Sequence, residues 1–125
     1  MTAPARRRRS ERAGRRAETL AALFLRLKGY RIVERRYRQP VGEIDLIARR
    51  GRTVAFVEVK HRARLDAAAE GVTMAGRRRL VAAARFWLAS HPAAAACDLR
   101  FDVVLTAPYR WPRHLAGAFD AEHAA

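Results

Sequence analysis

The sequence predicts an α/β sandwich: a central mixed sheet flanked by helices, in the order α-β-β-β-α-β, with room for one more short strand at the end. Three observations carry this. Apolar residues recur at helical spacing before Gly29 and again over 74–90. Between these stretches lie three segments rich in β-branched and aromatic residues, and a further alternating segment, 99–105, follows the second helix. Helices interleaved with strands in a chain of 125 residues fit one layered domain with one buried core.

Residues 1–12, rich in Ala, Pro, Arg and Ser, read as a disordered basic tail that adds electrostatic reach. The folded domain is expected over 13–120, with 121–125 as a C-terminal tail. From Gly14 to Lys28 the residues Leu20, Leu23, Phe24 and Leu27 follow a helical period, and Gly29 ends the helix. Tyr30–Tyr37 reads as the first strand. In the second, Gly42–Ala48, alternation predicts Ile44, Leu46 and Ala48 on one face and Glu43, Asp45 and Ile47 on the other. Arg49-Arg50-Gly51-Arg52 is short enough for a hairpin turn into the third, Thr53–His61. A mobile loop is expected over 62–72. The second helix, roughly Met74–Ser90, offers Leu80, Val81, Ala84, Trp87 and Leu88 for burial, and Leu99–Leu105 and His114–Phe119 read as strands.

The formal net charge of +14 predicts a polyanionic partner, nucleic acid first and an anionic membrane surface second. A genome biased toward arginine codons is a rival source of this charge. There are 24 arginines and only two lysines, Lys28 and Lys60, so a lysine at position 60 hints at a need for a compact ammonium. Cys97 is alone, which excludes an internal disulfide and fits a reducing compartment. The longest apolar run, Leu20–Leu25, is too short to span a bilayer. The basic start lacks the apolar stretch and cleavage site of a signal peptide, so a cytoplasmic protein without a membrane is expected.

Glu58 and Lys60, two apart on a strand, project from one face, and a hairpin can bring Asp45 across from Glu58. Charges on a strand flanked by apolar residues are costly unless they meet partners or a metal. Asp45, Glu58 and the backbone carbonyl of Val59 form an oxygen donor set suited to Mg2+ or Mn2+, which retains waters and often takes only one or two protein carboxylates. Lys60 stands beside it, and Glu43, on the face of Asp45, is an additional candidate. The blander account of Glu-x-Lys on a strand is an exposed ion pair worth little.

Gly42-Glu43-Ile44-Asp45-Leu46-Ile47-Ala48, Phe56-Val57-Glu58-Val59-Lys60-His61-Arg62 and Arg100-Phe101-Asp102-Val103-Val104, with 13 residues from Asp45 to Glu58, resemble the YraN family of small bacterial proteins. The resemblance runs from about Gly14 to Phe119. That family's fold is similar to the restriction-endonuclease and Holliday-junction-resolvase superfamily. The resemblance therefore implies a restriction-endonuclease-like, nuclease-like domain over 13–120 with a PD-(D/E)xK-type site. Asp45 and Glu58 match its acidic positions, Lys60 its lysine, and Glu18 the helix acid that resolvase-like members place near the metal. It implies a metal-dependent endonuclease acting on DNA, branched or structured DNA included, and admits a homodimer. Many relatives carry Asn where this chain has Arg36, and Lys where it has Gly76, so contacts to substrate are expected to differ.

Arg36, Arg62, Arg77, Arg78 and Arg79 are candidate nucleic-acid contacts, with a merely solvated face as the alternative for the last three. His61, His91, His114 and His123 lack metal-ligand spacing. Trp87 reads as core, and Tyr109 and Trp111 as packing anchors ahead of base-stacking surfaces. Asp102 reads as the partner of Arg100 on one strand face. A non-catalytic nucleic-acid-binding module is the main rival reading, and a protein that docks an acidic partner a third.

Overall fold

The computed structural model describes residues 3–64 and 74–121, with side chains from residue 14 onward. Helix α1 (Ala3–Leu27) leads into three consecutive strands, β1 (Arg31–Gln39), β2 (Gly42–Arg50) and β3 (Thr53–His61). Helix α2 (Met74–Ala89), a short helix α3 (Pro92–Ala95), and strands β4 (Asp98–Thr106) and β5 (Arg113–Phe119) follow. The sheet runs β1-β2-β3-β4-β5. Its β3–β4 pair is parallel and the other three pairs are antiparallel, so the expected mixed sheet flanked by helices is the architecture found. A parallel pair needs a long crossover, which 62–97 supply with α2 inside it. The loop expected over 62–72 lies mostly outside the described residues, as does most of the tail expected over 121–125. No helix among the described residues is long and apolar enough to cross a membrane.

Helix α1 starts at Ala3, so regular backbone occupies most of the stretch expected to be disordered. Ala and Arg are good helix formers, and Pro4 falls in the first turn, where its missing N–H is tolerated. The helix also turns a different face to the sheet than its large apolar residues suggest. Ala21, Ala22 and Leu25 pack on Leu46, Ala48, Ala55, Val57 and Val104, whereas Leu20, Leu23 and Leu27 are exposed. Small side chains along the buried line let the helix lie close to the strands. On the opposite face α2 seats Leu80, Val81, Ala84 and Trp87 on Ile44, Ile47, Val54, Phe56 and Phe101.

The expected alternation of β2 fails at one point. Leu46 and Ala48 face α1, but Ile44 joins Ile47 on the α2 side. The β2–β3 ladder runs from Arg50–Thr53 to Leu46–Val57 and stops, so β2 is free to turn between Ile44 and Leu46. Its other neighbour is irregular at the same rung. Arg35 pairs with Leu46 and Tyr37 with Ile44, and Arg36 between them has φ 54°, a left-handed conformation uncommon for a long side chain.

On the α1 face of the sheet the buried Asp102 ties β4 to β5 and, through Arg100, to Tyr30 between α1 and β1. It takes two bonds from Arg100 (2.8 and 2.7 Å), one from His114 Nε2 (2.7 Å) and one from the Gly117 amide (2.9 Å). Arg100 also donates to the Tyr30 hydroxyl at 2.6 Å. The ion pair expected between Arg100 and Asp102 is therefore present and forms part of a larger network. Burial works against ionisation of Asp102, but the bonds from His114, Arg100 and Gly117 outweigh it and hold the carboxyl at about 2. This stabilisation is complete above the ordinary value of 3.8 and is lost as pH falls toward 2.

Two predictions follow from this packing. A Cβ at Gly42 would lie 1.9 Å from the Arg79 carbonyl oxygen of α2, so this glycine is required by close approach rather than by a turn. Gly42→Ala should cost about 1–3 kcal/mol in chemical denaturation; unaltered stability would mean that α2 does not rest on the start of β2. Asp102→Asn should cost about 3 kcal/mol, because it leaves buried cationic donors short of their counter-charge, and it should abolish the acid limb of stability between pH 4 and 2.

Candidate active site

The departure of β2 from β3 opens a fork, and the sequence lines that fork with charge. Asp45 lies just past the last β2–β3 rung, where the backbone of β2 no longer pairs with β3. Its carboxylate replaces the missing ladder acceptor: the Val59 amide donates to Asp45 Oδ2 at 2.8 Å. Asp45 is thus fastened to β3 through its side chain instead of lying opposite Glu58 in a regular pair. Glu58 and Lys60 alternate with Val57 and Val59 as expected and meet each other at 3.2 Å. Val59 itself packs toward α1.

Helix α1 brings Glu18 over the fork, and the line of alanines beside it is what allows the close approach. Glu18 is only 6 % exposed, so it is no solvated helix glutamate. Arg36 Nε donates to its Oε2 at 2.6 Å. The unusual φ of Arg36 accompanies this inward turn, and Asn, the residue the family resemblance leads one to expect there, enters that region at lower cost. Arg36 is therefore spent on Glu18 in this structure and does not stand free as a phosphate contact.

Arg38 was not among the candidates, and it links the acids. It lies 3.2 Å from Glu43, 3.6 Å from Asp45 Oδ1 and 3.9 Å from Glu18. The signal that could have found it is the cross-strand register, which sets Arg38 of β1 against Glu43 of β2. Glu43 is half exposed and sits at the rim. Together Gly14, Glu18, Arg36, Arg38, Asp45 and His61 border a cleft of about 400 Å3. Of the other candidates, Arg62 is exposed and bonds the His61 carbonyl at 2.9 Å. Arg77 lies over the Phe119 ring at 5.3 Å, turned toward β5, whereas Arg78 and Arg79 are exposed on the first turns of α2.

Burial, followed by the charge of Glu58 and then of Glu18, pushes the Asp45 carboxyl up to about 7, against the opposing pull of the Val59 amide and Arg38. A hard divalent cation would relieve both the burial and the repulsion, and the donors are oxygens, so the residues fit Mg2+ or Mn2+. Among the described residues no group of three or more His, Cys, Asp or Glu gathers to hold a metal. Asp45, Glu58 and the Val59 carbonyl would be the protein's share, with water and phosphate completing the shell.

Fold and site define a mixed α/β protein whose central strands part over a cluster of acids, arginines and one lysine. Residues 17–106 match the uncharacterised protein family UPF0102, and the chain belongs to that family, as the sequence resemblance indicated. It is 58 % identical over 118 residues to a UPF0102 protein of Methylorubrum extorquens, covering 94 % of this chain and 92 % of that one. It is 60 % identical over 108 residues to a UPF0102 protein of Parvibaculum lavamentivorans (86 % and 81 % covered), and 58 % identical over 109 residues to one of Methylocella silvestris (87 % and 88 %).

Ionisation of Asp45 works against folding. The penalty is complete above pH 7, and it is relieved as pH falls from about 7 toward 3.8, where the unfolded chain also takes up the proton. Asp45→Asn, which can still accept from Val59, should raise stability at pH 8 by about 2–4 kcal/mol, with the gain shrinking to near nothing at pH 4. Equal unfolding curves for the two proteins at pH 8 would show that Asp45 is not under electrostatic strain.

Proposed function

We propose that this protein is a metal-dependent endonuclease acting on DNA through Asp45, Glu58 and Lys60, with Glu18 and Glu43 in support. The observation that carries the reading is the fork itself. Asp45 stands part-buried where the ladder ends, near enough to Glu58 for their charges to repel. Lys60 lies 3.2 Å from Glu58, and Asp45 is held ionised only with difficulty until a cation joins it. The restriction-endonuclease-like fold that the sequence resemblance implies supports the same reading.

When bound, Mg2+ or Mn2+ would neutralise phosphate charge and lower the pKa of a water molecule. The protein's own residues then divide the remaining work. Asp45, pinned by the Val59 amide, and Glu58 would hold the cation that attracts the scissile phosphate. Lys60, held at 3.2 Å from Glu58, orients the attacking water and meets the charge that develops on the phosphate. Arg38 must yield its place beside Asp45 Oδ1, and the exposed Arg62, Arg78 and Arg79 are the candidates to meet the flanking phosphates. A chain of net charge +14 draws DNA to this face. A homodimer would suit a two-fold symmetric junction.

One observation favours a second reading, a nucleic-acid-binding module without turnover: Arg36, Arg38 and Lys60 already balance Glu18, Asp45 and Glu58. Labelled linear, single-stranded, flapped and four-way DNAs, incubated with Mg2+ or Mn2+, separate the two. The nuclease reading expects metal-dependent cutting that drops roughly a hundred- to a thousand-fold in Lys60→Ala and disappears in Asp45→Asn, with binding retained. It also expects Mg2+ to raise the melting temperature of the wild type but not of Asp45→Asn. Salt-sensitive binding without cutting, or cutting that survives both substitutions, would hand the lead to the binding module.

A further inference from the structure

A groove of about 520 Å3 continues from the cleft and shares Ala17 and His61 with it. It follows the connection between β4 and β5, residues 107–112, and its walls include Leu20 and Arg16 of α1. Two aromatic rings that the sequence marks as packing anchors stand on its rim, and neither is buried. Tyr109 is 104 % exposed and Trp111 75 %. Trp111 rests on Phe24 with ring centres 6.5 Å apart, which steadies it while leaving it open to solvent.

The backbone at Tyr109 has φ 60°, in the turn after Pro108 where glycine is the usual residue. Apart from Arg36 beside Glu18, the other described residues with such a φ are glycines, Gly29, Gly51 and Gly117. A bulky residue held there with its ring in solvent recovers no packing in return, so folding does not account for it. Arg16 and Arg110 line the same groove. Exposed rings interleaved with guanidinium groups form a surface that tracks a sugar–phosphate strand and stacks its bases. Bases within a duplex are stacked on one another and offer only their edges, so such a surface selects unpaired nucleotides.

We infer that the groove along 107–112 binds unpaired nucleotides of a strand whose phosphate lies at the fork, with Tyr109 and Trp111 stacking bases and Arg16 and Arg110 meeting phosphates. The inference rests on the nucleic-acid reading above and narrows its substrate to single-stranded, flapped or frayed DNA. His61, fixed by a 2.7 Å bond between its Nδ1 and Thr106 Oγ1, marks the passage from cleft to groove.

The test compares, in EDTA, binding of an oligothymidylate with that of an abasic strand carrying the same number of phosphates. The proteins are the wild type, Tyr109→Ala, Trp111→Ala and the double variant; both positions are exposed, and melting curves verify folding. The wild type should prefer the thymidylate strand on the order of ten-fold, with quenched tryptophan emission. The double variant should lose the preference yet keep its salt-dependent hold on the abasic strand. Equal affinity of the wild type for both strands, or a preference that survives the double substitution, overturns the inference. So does a dimer that dissociates in Trp111→Ala with strand preference unaltered, which would assign the face to a second copy. Because no metal is present, stacking without any later DNA cutting would refute the nuclease reading alone. Cutting of flapped DNA that is indifferent to both aromatic substitutions would refute this inference alone.

Discussion

Beyond the Leu46–Val57 rung the backbone of β2 no longer reaches β3, and the Val59 amide finds its acceptor in the Asp45 carboxylate instead. Much of the site depends on that substitution of a side chain for a backbone carbonyl. An unpaired amide in the half-buried interior costs about as much as a lost hydrogen bond, so the carboxylate is fixed in place by the needs of the sheet. Its second oxygen is then left facing Arg38 and the cleft. The same parting of strands lets Ile44 reach the α2 side while Leu46 stays under α1, and both cores are filled.

The charges around the fork form a closed set. Glu18, Glu43, Asp45 and Glu58 face Arg36, Arg38 and Lys60, four acids against three bases. In a chain carrying +14 overall, this cluster is a local reversal of sign. A DNA strand attracted by the general field would be repelled by the acids alone. On the proposed reading, the arginines that balance them, together with a cation, would let a phosphate enter. Arg38 has the geometry for this exchange, since it touches three carboxylates yet remains half exposed.

Much of this was legible in the sequence, and what was not has physical causes. Element order and the Glu58–Lys60 pairing follow from period-two and period-3.6 patterns, and these survived folding because the β3–β4 ladder is regular from Thr53 to His61. The alternation of β2 misled because periodicity presumes a continuous ladder, and this strand loses its partner at Asp45. The leucines of α1 misled because hydrophobic weight points to the larger side chains, whereas close approach to a sheet selects Ala21 and Ala22. Nothing local to Gly42 reveals the Arg79 carbonyl that crosses over it. Arg38 was hidden among neighbouring arginines until register set it against Glu43.

Three features work against stability and line the adjoining cleft and groove: the part-buried Asp45, the left-handed Arg36 and the left-handed Tyr109. Strain of this kind persists only where the surroundings over-determine it. For Arg36 the surroundings are Glu18 and two strands, and for Asp45 they are the Val59 amide and Arg38. Two strands further along, the four bonds of Asp102 join β4 to β5. Tyr109 has no comparable support from its own side chain. The turn that bears it joins β4 to β5, the two strands that the Asp102 network ties together. A strand lying along cleft and groove would meet all three, since Asp45 and Arg36 line the one and Tyr109 the other.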